Sequence, residues 1–242
     1  MLPKTYGLGD EWDKVITSLR NLVPVYDELN ETISFKTDLR LRAESITGLI
    51  SDGERVLDAG AGNGVFSRVL LKNQPNVADV VLLDFLHPML KTAAKTLSPD
   101  KTHYIIGVFE NLPFRENVFD SVLMGFSLRD ARNTRTALSE VKRVLKQNGN
   151  LIVVDLGKPD SPLFSLLVGL YWKVVAPFLA LLKLGKTGLN ATSIYSTYRR
   201  LPKNNELKSI VQSFFEKVEI REKMLGGAVM LKASSKQGPI TP

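Results

Sequence analysis

From Arg55 onward, short apolar runs alternate with amphipathic stretches of helical period, a pattern that few folds can accommodate. The runs cover residues 55–59, 77–84, 103–108, 119–124 and 150–156, and the helical patterns between them cover 65–72, 88–97 and 134–146. A strand apolar on both faces must be covered on both, and parallel strands need long crossovers. The alternation therefore predicts a mostly parallel sheet with helices on both faces. A last helix at 205–215 leads into two more strands, 217–223 and 228–233, making seven. Gly149 is expected to stop the helix before the fifth strand. The first fifty residues read as helical, with Trp12, Val15, Ile16 and Leu19 at helix spacing and a second helix over 35–50. The chain is expected to be one domain over 1–242. It would comprise a helical cap at 1–50, a core at 51–156, an insertion at 157–203, a closing helix and strands at 204–234, and a frayed tail at 235–242.

The first strand breaks into Val56-Leu57-Asp58-Ala59-Gly60-Ala61-Gly62-Asn63-Gly64. Glycines let a backbone turn sharply and approach a ligand with no Cβ in the way. Dinucleotide folds use G-x-G-x-x-G, whose last glycine precedes a helix N-terminus that holds pyrophosphate. Here the spacing is D-x-G-x-G-x-G, and Asp58 at the strand end can hold an ammonium directly or through water. That suits S-adenosylmethionine, which has an amino-acid end, a sulfonium and no phosphate. A second apolar strand ends in Asp84, followed by Phe85, where a carboxylate can grip a ribose diol. The third strand closes on Gly107-Val108-Phe109-Glu110-Asn111-Leu112-Pro113-Phe114, and the fourth begins at Val118-Phe119-Asp120. With no ligand, Asp58 and Asp84 would be strand-end caps and the glycines a tight loop. Four pieces in register favour the ligand.

These motifs resemble the ubiquinone/menaquinone biosynthesis C-methyltransferases from about Val25 to Lys232. Tyr26-Asp27-x-x-Asn30 is similar to the family's Y-D-x-x-N, and Glu110-x-Leu112-Pro113-Phe114 to its E-x-L-P-F. Gly125-Phe126-Ser127-Leu128-Arg129-Asp130 is similar to S-F-G-L-R-N, and Gly226-Gly227-x-Val229 to its terminal strand. The resemblance implies a Rossmann-like class I methyltransferase, α/β, with a helical N-terminal segment, a helical insertion after strand 5 and an antiparallel last strand. It implies cofactor contacts at Asn63, Asp84, Val108, Phe109 and Gly125, and a role for Arg129 in proton removal. Val108 stands where family members place Asn or Asp against the adenine amino group. Gly125, Ser127 and Asp130 replace Ser, Gly and Asn, which marks a divergent member.

C-methylation of a quinol ring needs a cation beside the phenolate and a group to take the ring proton. A guanidinium stays protonated, so Arg129 would polarise a phenol or position water. Asp130, Asp155, Tyr26 and Tyr195 are the other acid–base candidates. Arg129, Asp130 and Tyr26 are the expected catalytic set, and Tyr26, Asn30, Asp155, Tyr195 and Tyr198 the expected substrate contacts. The bland alternatives are an Arg129–Asp130 ion pair and, for Tyr26 and Asp27, helix capping and packing. His87 in His87-Pro88 reads as a helix start, and His103 as structural.

Cysteine is absent, which excludes disulfides and thiolate chemistry, and two histidines are too few for a histidine-rich metal centre, so no metal is expected. The net charge of +7 is unevenly spread. From Ser161 to Asn205 there is no Asp or Glu, while Lys173, Lys183, Lys186, Arg199, Arg200 and Lys203 lie within or just beyond a very apolar run, Leu163 to Leu184. That run reads as a lid, over the pocket or at a lipid surface, admitting a polyprenyl tail. Its alternatives are a helix buried in the core or in a homodimer contact, or a true membrane span, which Lys173 and Pro177 oppose. Ser165, Gly169, Lys173 and Pro177 would form one narrow stripe on such a helix. Met1 to Leu19 has scattered charges and no apolar core, so a cytoplasmic location, peripheral at the inner face of the membrane, is expected. The expected partner is a lipophilic small molecule and not nucleic acid. Rival readings are an O- or N-methyltransferase for another lipophilic acceptor, an RNA-modifying enzyme, and a non-catalytic cofactor-binding partner.

Overall fold

The computed structural model describes residues 6–234; the tail expected over 235–242 lies outside the described residues. Seven strands form one sheet: β1 (Arg55–Ala59), β2 (Asp79–Asp84), β3 (Thr102–Ile106), β4 (Phe119–Gly125), β5 (Leu145–Leu156), β6 (Lys217–Lys223) and β7 (Ala228–Ser234). Their order is β3-β2-β1-β4-β5-β7-β6. Only β7 runs against the rest, pairing antiparallel with β5 and with β6. The sheet is therefore the one the pattern of runs predicts.

Alternation within the central strands explains why helices cover both faces. Leu57, Val122, Met124, Leu151 and Val153 point to one side, where α6 (Thr134–Val144) and α10 (Asn204–Gln212) supply Leu138, Val141, Leu207 and Val211. Val56, Leu82, Leu123, Ile152 and Val154 point to the other. There α3 (Thr37–Ile46), α4 (Val65–Asn73) and α5 (His87–Ala94) supply Leu41, Phe66, Leu70 and Leu90. Most of these side chains are fully buried, each worth about 1.5–3 kcal/mol relative to exposure. Asn133 caps α6 by accepting from the backbone N–H of Arg135 and Thr136.

Several boundaries differ by two or three residues from the sequence reading, and three of the differences have a visible cause. The helix expected over 35–50 is preceded by a break, because Phe35 and Lys36 both take left-handed φ, +51° and +60°. The cap is thus α1 (Trp12–Leu22), α2 (Tyr26–Ser34) and α3. Strand β3 stops at Ile106, where the Gly107 N–H turns to the Asp84 carbonyl. Gly149 does not end α6: the helix stops at Val144, and Leu145 already pairs with Phe119 at the start of β5.

The insertion folds as α7 (Pro162–Leu170), a π-helical segment (Tyr171–Val175), α8 (Ala176–Leu184), a 3-10 stretch (Gly185–Ala191) and α9 (Thr192–Arg200). Pro177 cannot donate to a carbonyl one turn back, and the widened π turn lies just ahead of it. Trp172, Ala176 and Ala180, four residues apart, turn inward onto Leu22, Leu29, Ile33 and Leu156. The expected stripe of Ser165, Gly169, Lys173 and Pro177 is not one face in exposure, since Lys173 is exposed and Pro177 buried.

Candidate active site

The strand order reverses between β1 and β4, and in open α/β sheets ligands bind beyond the carboxyl ends at such a reversal. Gly60 turns there at φ +73°, and a Cβ would stand 2.5 Å from Ser127 Cβ and 2.8 Å from Phe109 Cζ. Gly62 also has positive φ, +56°, but nothing lies within 4 Å of where its Cβ would be. One glycine closes the loop against the opposite wall; the other leaves room. Asp84 accepts the N–H of Gly62 at 2.8 Å and of Leu86 at 2.7 Å, so the carboxylate fixes the loop it faces. Burial raises its pKa, opposed by those two bonds.

Gly60, Gly62, Asn63, Asp84, Phe85, Val108, Phe109 and Gly125, the expected cofactor contacts, all line one cavity. Helix α1 roofs it: Trp12 meets Phe85 edge-to-face at 4.7 Å, and Val108 packs with Trp12, Leu86 and Met89. Val108 thus presents an apolar side chain, and only backbone groups there can read an adenine edge. Two polar atoms of cavity-lining residues are buried without a hydrogen-bond partner among the described residues, Arg42 Nε and Asn63 Oδ1. A free donor and a free acceptor match the carboxylate and the ammonium of an amino-acid end, and with the open side of Gly62 they fit adenosylmethionine.

Asp58 and Gly64 lie elsewhere than expected. Neither lines the cavity. Asp58 Oδ2 accepts the backbone N–H of Ser67 at 3.0 Å and its hydroxyl at 2.6 Å, which ties β1 to the first turn of α4 behind the loop. Burial lifts its pKa to about 6, the Ser67 hydroxyl opposing. Gly64 faces Leu97 and Ala93 in the core.

Beside the cofactor cavity lies a buried charged cluster. Arg129 Nη1 donates to Asp155 Oδ1 at 2.8 Å, the Arg129 N–H donates to Asp155 Oδ2 at 3.0 Å, and Arg129 Nε stands 3.7 Å from Asp130. Burial disfavours the guanidinium charge, but Asp130 and Asp155 outweigh it and shift its pKa upward. Arg129 is a fixed cation. Burial lifts the Asp130 carboxyl to about 6, with Arg129 opposing. Burial also raises the Tyr26 phenol, against the pull of Arg129 and Asn30.

A second, smaller cavity adjoins the first, sharing Tyr26, Arg42 and Phe126 with it and adding Asn30, Arg129 and Trp172. A third, of about 430 Å³, shares Ile33, Ser34, Asp38, Phe126, Leu156 and Trp172 with the second; apart from Ser34, Thr37 and Asp38 its lining is largely apolar. Phe126 belongs to all three. Its backbone is left-handed, φ +58°, a conformation costing a non-glycine residue about 1–2 kcal/mol. The Arg42 guanidinium lies 4.8 Å and that of Arg129 5.8 Å from its ring centroid.

Of the expected substrate contacts, Tyr26 and Asn30 line the second cavity; Asp155, Tyr195 and Tyr198 line none of the three. Asp155 is spent on Arg129, and Tyr198 is buried, its hydroxyl donating to the Ser165 carbonyl at 3.0 Å, with Tyr195 stacked on it. The sequence reading missed Arg42 and Phe126. Arg42 is salt-bridged to Asp38 at 2.7 Å, four residues back on α3. That spacing reads as a solvated helix pair, and only burial of both side chains reveals otherwise. Asn63 donates to Asp27, so α2 is pinned to the glycine loop. His87 and His103 are exposed, His103 3.5 Å from Asp79. Among the described residues no group of three or more His, Asp and Glu side chains could hold a metal ion.

The strand order, the single reversed strand and the acid-flanked glycine loop at the switch point define a class I adenosylmethionine-dependent methyltransferase. Solved structures share the fold: a SAM-dependent methyltransferase from Thermotoga maritima matches at TM-score 0.61 and 19% identity, covering 92% of this chain and 100% of its own. A Haemonchus contortus phosphoethanolamine N-methyltransferase matches at TM-score 0.62 and 14% identity, covering 84% of this chain and 53% of its own. The profile of the ubiE/COQ5 methyltransferase family matches residues 10–236, and the chain belongs to that family. A demethylmenaquinone methyltransferase from Staphylococcus haemolyticus is 30% identical over 232 residues, 93% of this chain and 95% of the relative. One from Lactiplantibacillus plantarum is 32% identical over 161 residues, 64% of this chain and 68% of the relative.

Proposed function

We propose that this methyltransferase C-methylates the ring of a polyprenylated quinol of the demethylmenaquinol type. The observation that carries the reading is the line of three adjoining cavities: a polar one for the cofactor, a small one walled by Tyr26, Asn30 and Arg129 for a ring, and an apolar one of about 430 Å³ for a tail. A small polar acceptor would have no use for the third. The demethylmenaquinone methyltransferases among the relatives support the same acceptor class.

Adenosylmethionine, when bound, supplies an electrophilic methyl group, and demethylated S-adenosylhomocysteine remains; no metal is needed for that displacement. Arg42 Nε and Asn63 Oδ1 would hold its amino-acid end and Asp84 its ribose. Phe126, with two guanidinium groups against its ring, would set the substrate ring against the cofactor cavity, which aligns the reactants and excludes water. Arg129, fixed by Asp155, would stabilise negative charge on the quinol oxygen and so raise electron density at the ring carbon. Tyr26 stays protonated and would donate a hydrogen bond to the same oxygen. Asp130, with a carboxyl near 6, is ionised at neutral pH and close enough in basicity to accept the ring proton. Asp155 acts through Arg129 and is a positioning residue.

The test is incubation with labelled adenosylmethionine and demethylmenaquinols of graded tail length, with the product identified by mass spectrometry. The expected product carries a ring C-methyl group, and turnover rises with tail length until the apolar cavity is filled. Label on oxygen or nitrogen, or on a tail-free acceptor in preference, would overturn the proposal.

A further inference from the structure

Five residues of the insertion, Leu166, Leu170, Val174, Phe178 and Leu182, stand four apart along α7, the π segment and α8. They are 69%, 52%, 51%, 57% and 68% exposed. The inward stripe of Trp172, Ala176 and Ala180 lies on the opposite side, so these three face the protein while the five large apolar side chains face solvent. Only 22% of the most apolar window in this helical run is buried, so it is not a core helix. Nor is it free to leave as a span, because its inner face is packed on Leu29 and Ile33 of α2.

The same side of the molecule holds the mouth of the apolar cavity. Leu167, Met224 and Leu225 line that cavity and are 46%, 53% and 60% exposed. Met224 and Leu225 are held outward by left-handed backbone, φ +52° and +57°. Phe35, 69% exposed, sits between the lining residues Ser34 and Thr37. A continuous apolar exterior thus runs into an apolar interior.

Charge names the occupant. Between Ser161 and Asn205 every charged side chain is basic. Lys173 and Lys186 are exposed and have no carboxylate partner among the described residues. A long aliphatic stem lets Lys173 keep its ammonium at a polar boundary while its neighbours are covered. A second copy of this chain would set these cations against each other, whereas an anionic bilayer meets both requirements. The geometry points to the outer face of α7 and α8 as a docking surface for an anionic lipid bilayer, through which the substrate tail passes from the membrane into the apolar cavity. The tail's passage rests on the function proposed above; the docking does not.

The test is flotation of the full chain with phosphatidylcholine vesicles, with and without phosphatidylglycerol. The variant L166N/L170N/F178N/L182N alters four side chains that already face solvent and line none of the three cavities. The protein floats with anionic vesicles. Each unpaired lysine near such a surface contributes roughly fivefold, so neutral vesicles, or K173Q/K186Q with anionic ones, reduce partitioning by more than tenfold. The fourfold Asn variant loses roughly a hundredfold or more, yet binds adenosylhomocysteine in calorimetry as the unaltered chain does. No recruitment of the unaltered chain, or equal recruitment of the Asn variant, overturns the proposal. So does light scattering that shows a dimer broken by these four substitutions. Vesicle binding with no methylation of any quinol would leave the docking surface intact and sink the proposed function instead.

Discussion

Replacing Arg42 separates two roles that one side chain performs. Its Nη1 holds buried Asp38 at 2.7 Å, and its Nε has no partner in the described structure although the residue lines both the cofactor and the ring cavities. Arg42→Met keeps much of the packing over Phe126 but leaves the Asp38 carboxylate with only the Ser34 hydroxyl. Removing one partner of a buried ion pair costs about 3–5 kcal/mol, so the single variant unfolds at much lower urea. The double variant D38N/R42M removes the stranded charge and recovers most of that loss. What it does not recover is the free donor. A hydrogen bond to a charged group is worth about 1.5–3 kcal/mol, so the double variant binds adenosylhomocysteine roughly ten- to a hundredfold more weakly. Urea titration followed by circular dichroism reads stability, and calorimetry reads affinity. Unaltered affinity in a stable double variant would refute the assignment of Arg42 Nε to the cofactor and leave it a structural residue.

Five further outcomes follow from the geometry. Gly60→Ala forces a Cβ to 2.5 Å from Ser127 and loses about 2–4 kcal/mol of stability in urea titration. Gly62→Ala meets open space, loses only about 1 kcal/mol, and weakens adenosylhomocysteine binding, read by calorimetry. With Asp130 as proton acceptor and a carboxyl near 6, kcat/KM falls about tenfold per pH unit below about pH 6, and Asp130→Asn abolishes that limb. Asp58 has its folded pKa raised to about 6 from an unfolded value near 3.9, so its contribution to stability is fullest below about pH 4 and is lost as pH rises through 6. Asp58→Asn removes this dependence, and its stability relative to the unaltered chain improves by up to about 3 kcal/mol between pH 4 and 7 in denaturant titrations. Ile33→Trp narrows the passage between the ring and tail cavities and raises KM for long-tailed quinols at least about tenfold while short-tailed ones change little.

Sequence alone determined the sheet. Apolar runs in alternation with amphipathic helices leave one economical arrangement, and glycines at strand ends followed by acids mark where its ligand sits; both are local patterns whose physics acts within a few residues. The cavity-lining set around Gly60, Gly62, Asn63, Asp84 and Phe109 was legible for the same reason. Tertiary structure decided what depends on burial and on meetings across the chain. Asp58 looks like a ligand in sequence, but it lies behind the loop, where Ser67 of α4 takes one oxygen of its carboxylate. Asp38 and Arg42 look like a surface pair, but α3 turns them into the site. The break at Phe35 and Lys36 carries no glycine to announce it; it joins α2 and α3, whose directions are set by buried residues on either side, Ile33 and Leu41. In the insertion the sequence supplied an apolar run and its basic border. Which stripe met the protein and which met solvent was decided by where Trp172, Ala176 and Ala180 found α2, because a helix with apolar residues on nearly every side has no face of its own until something packs against it.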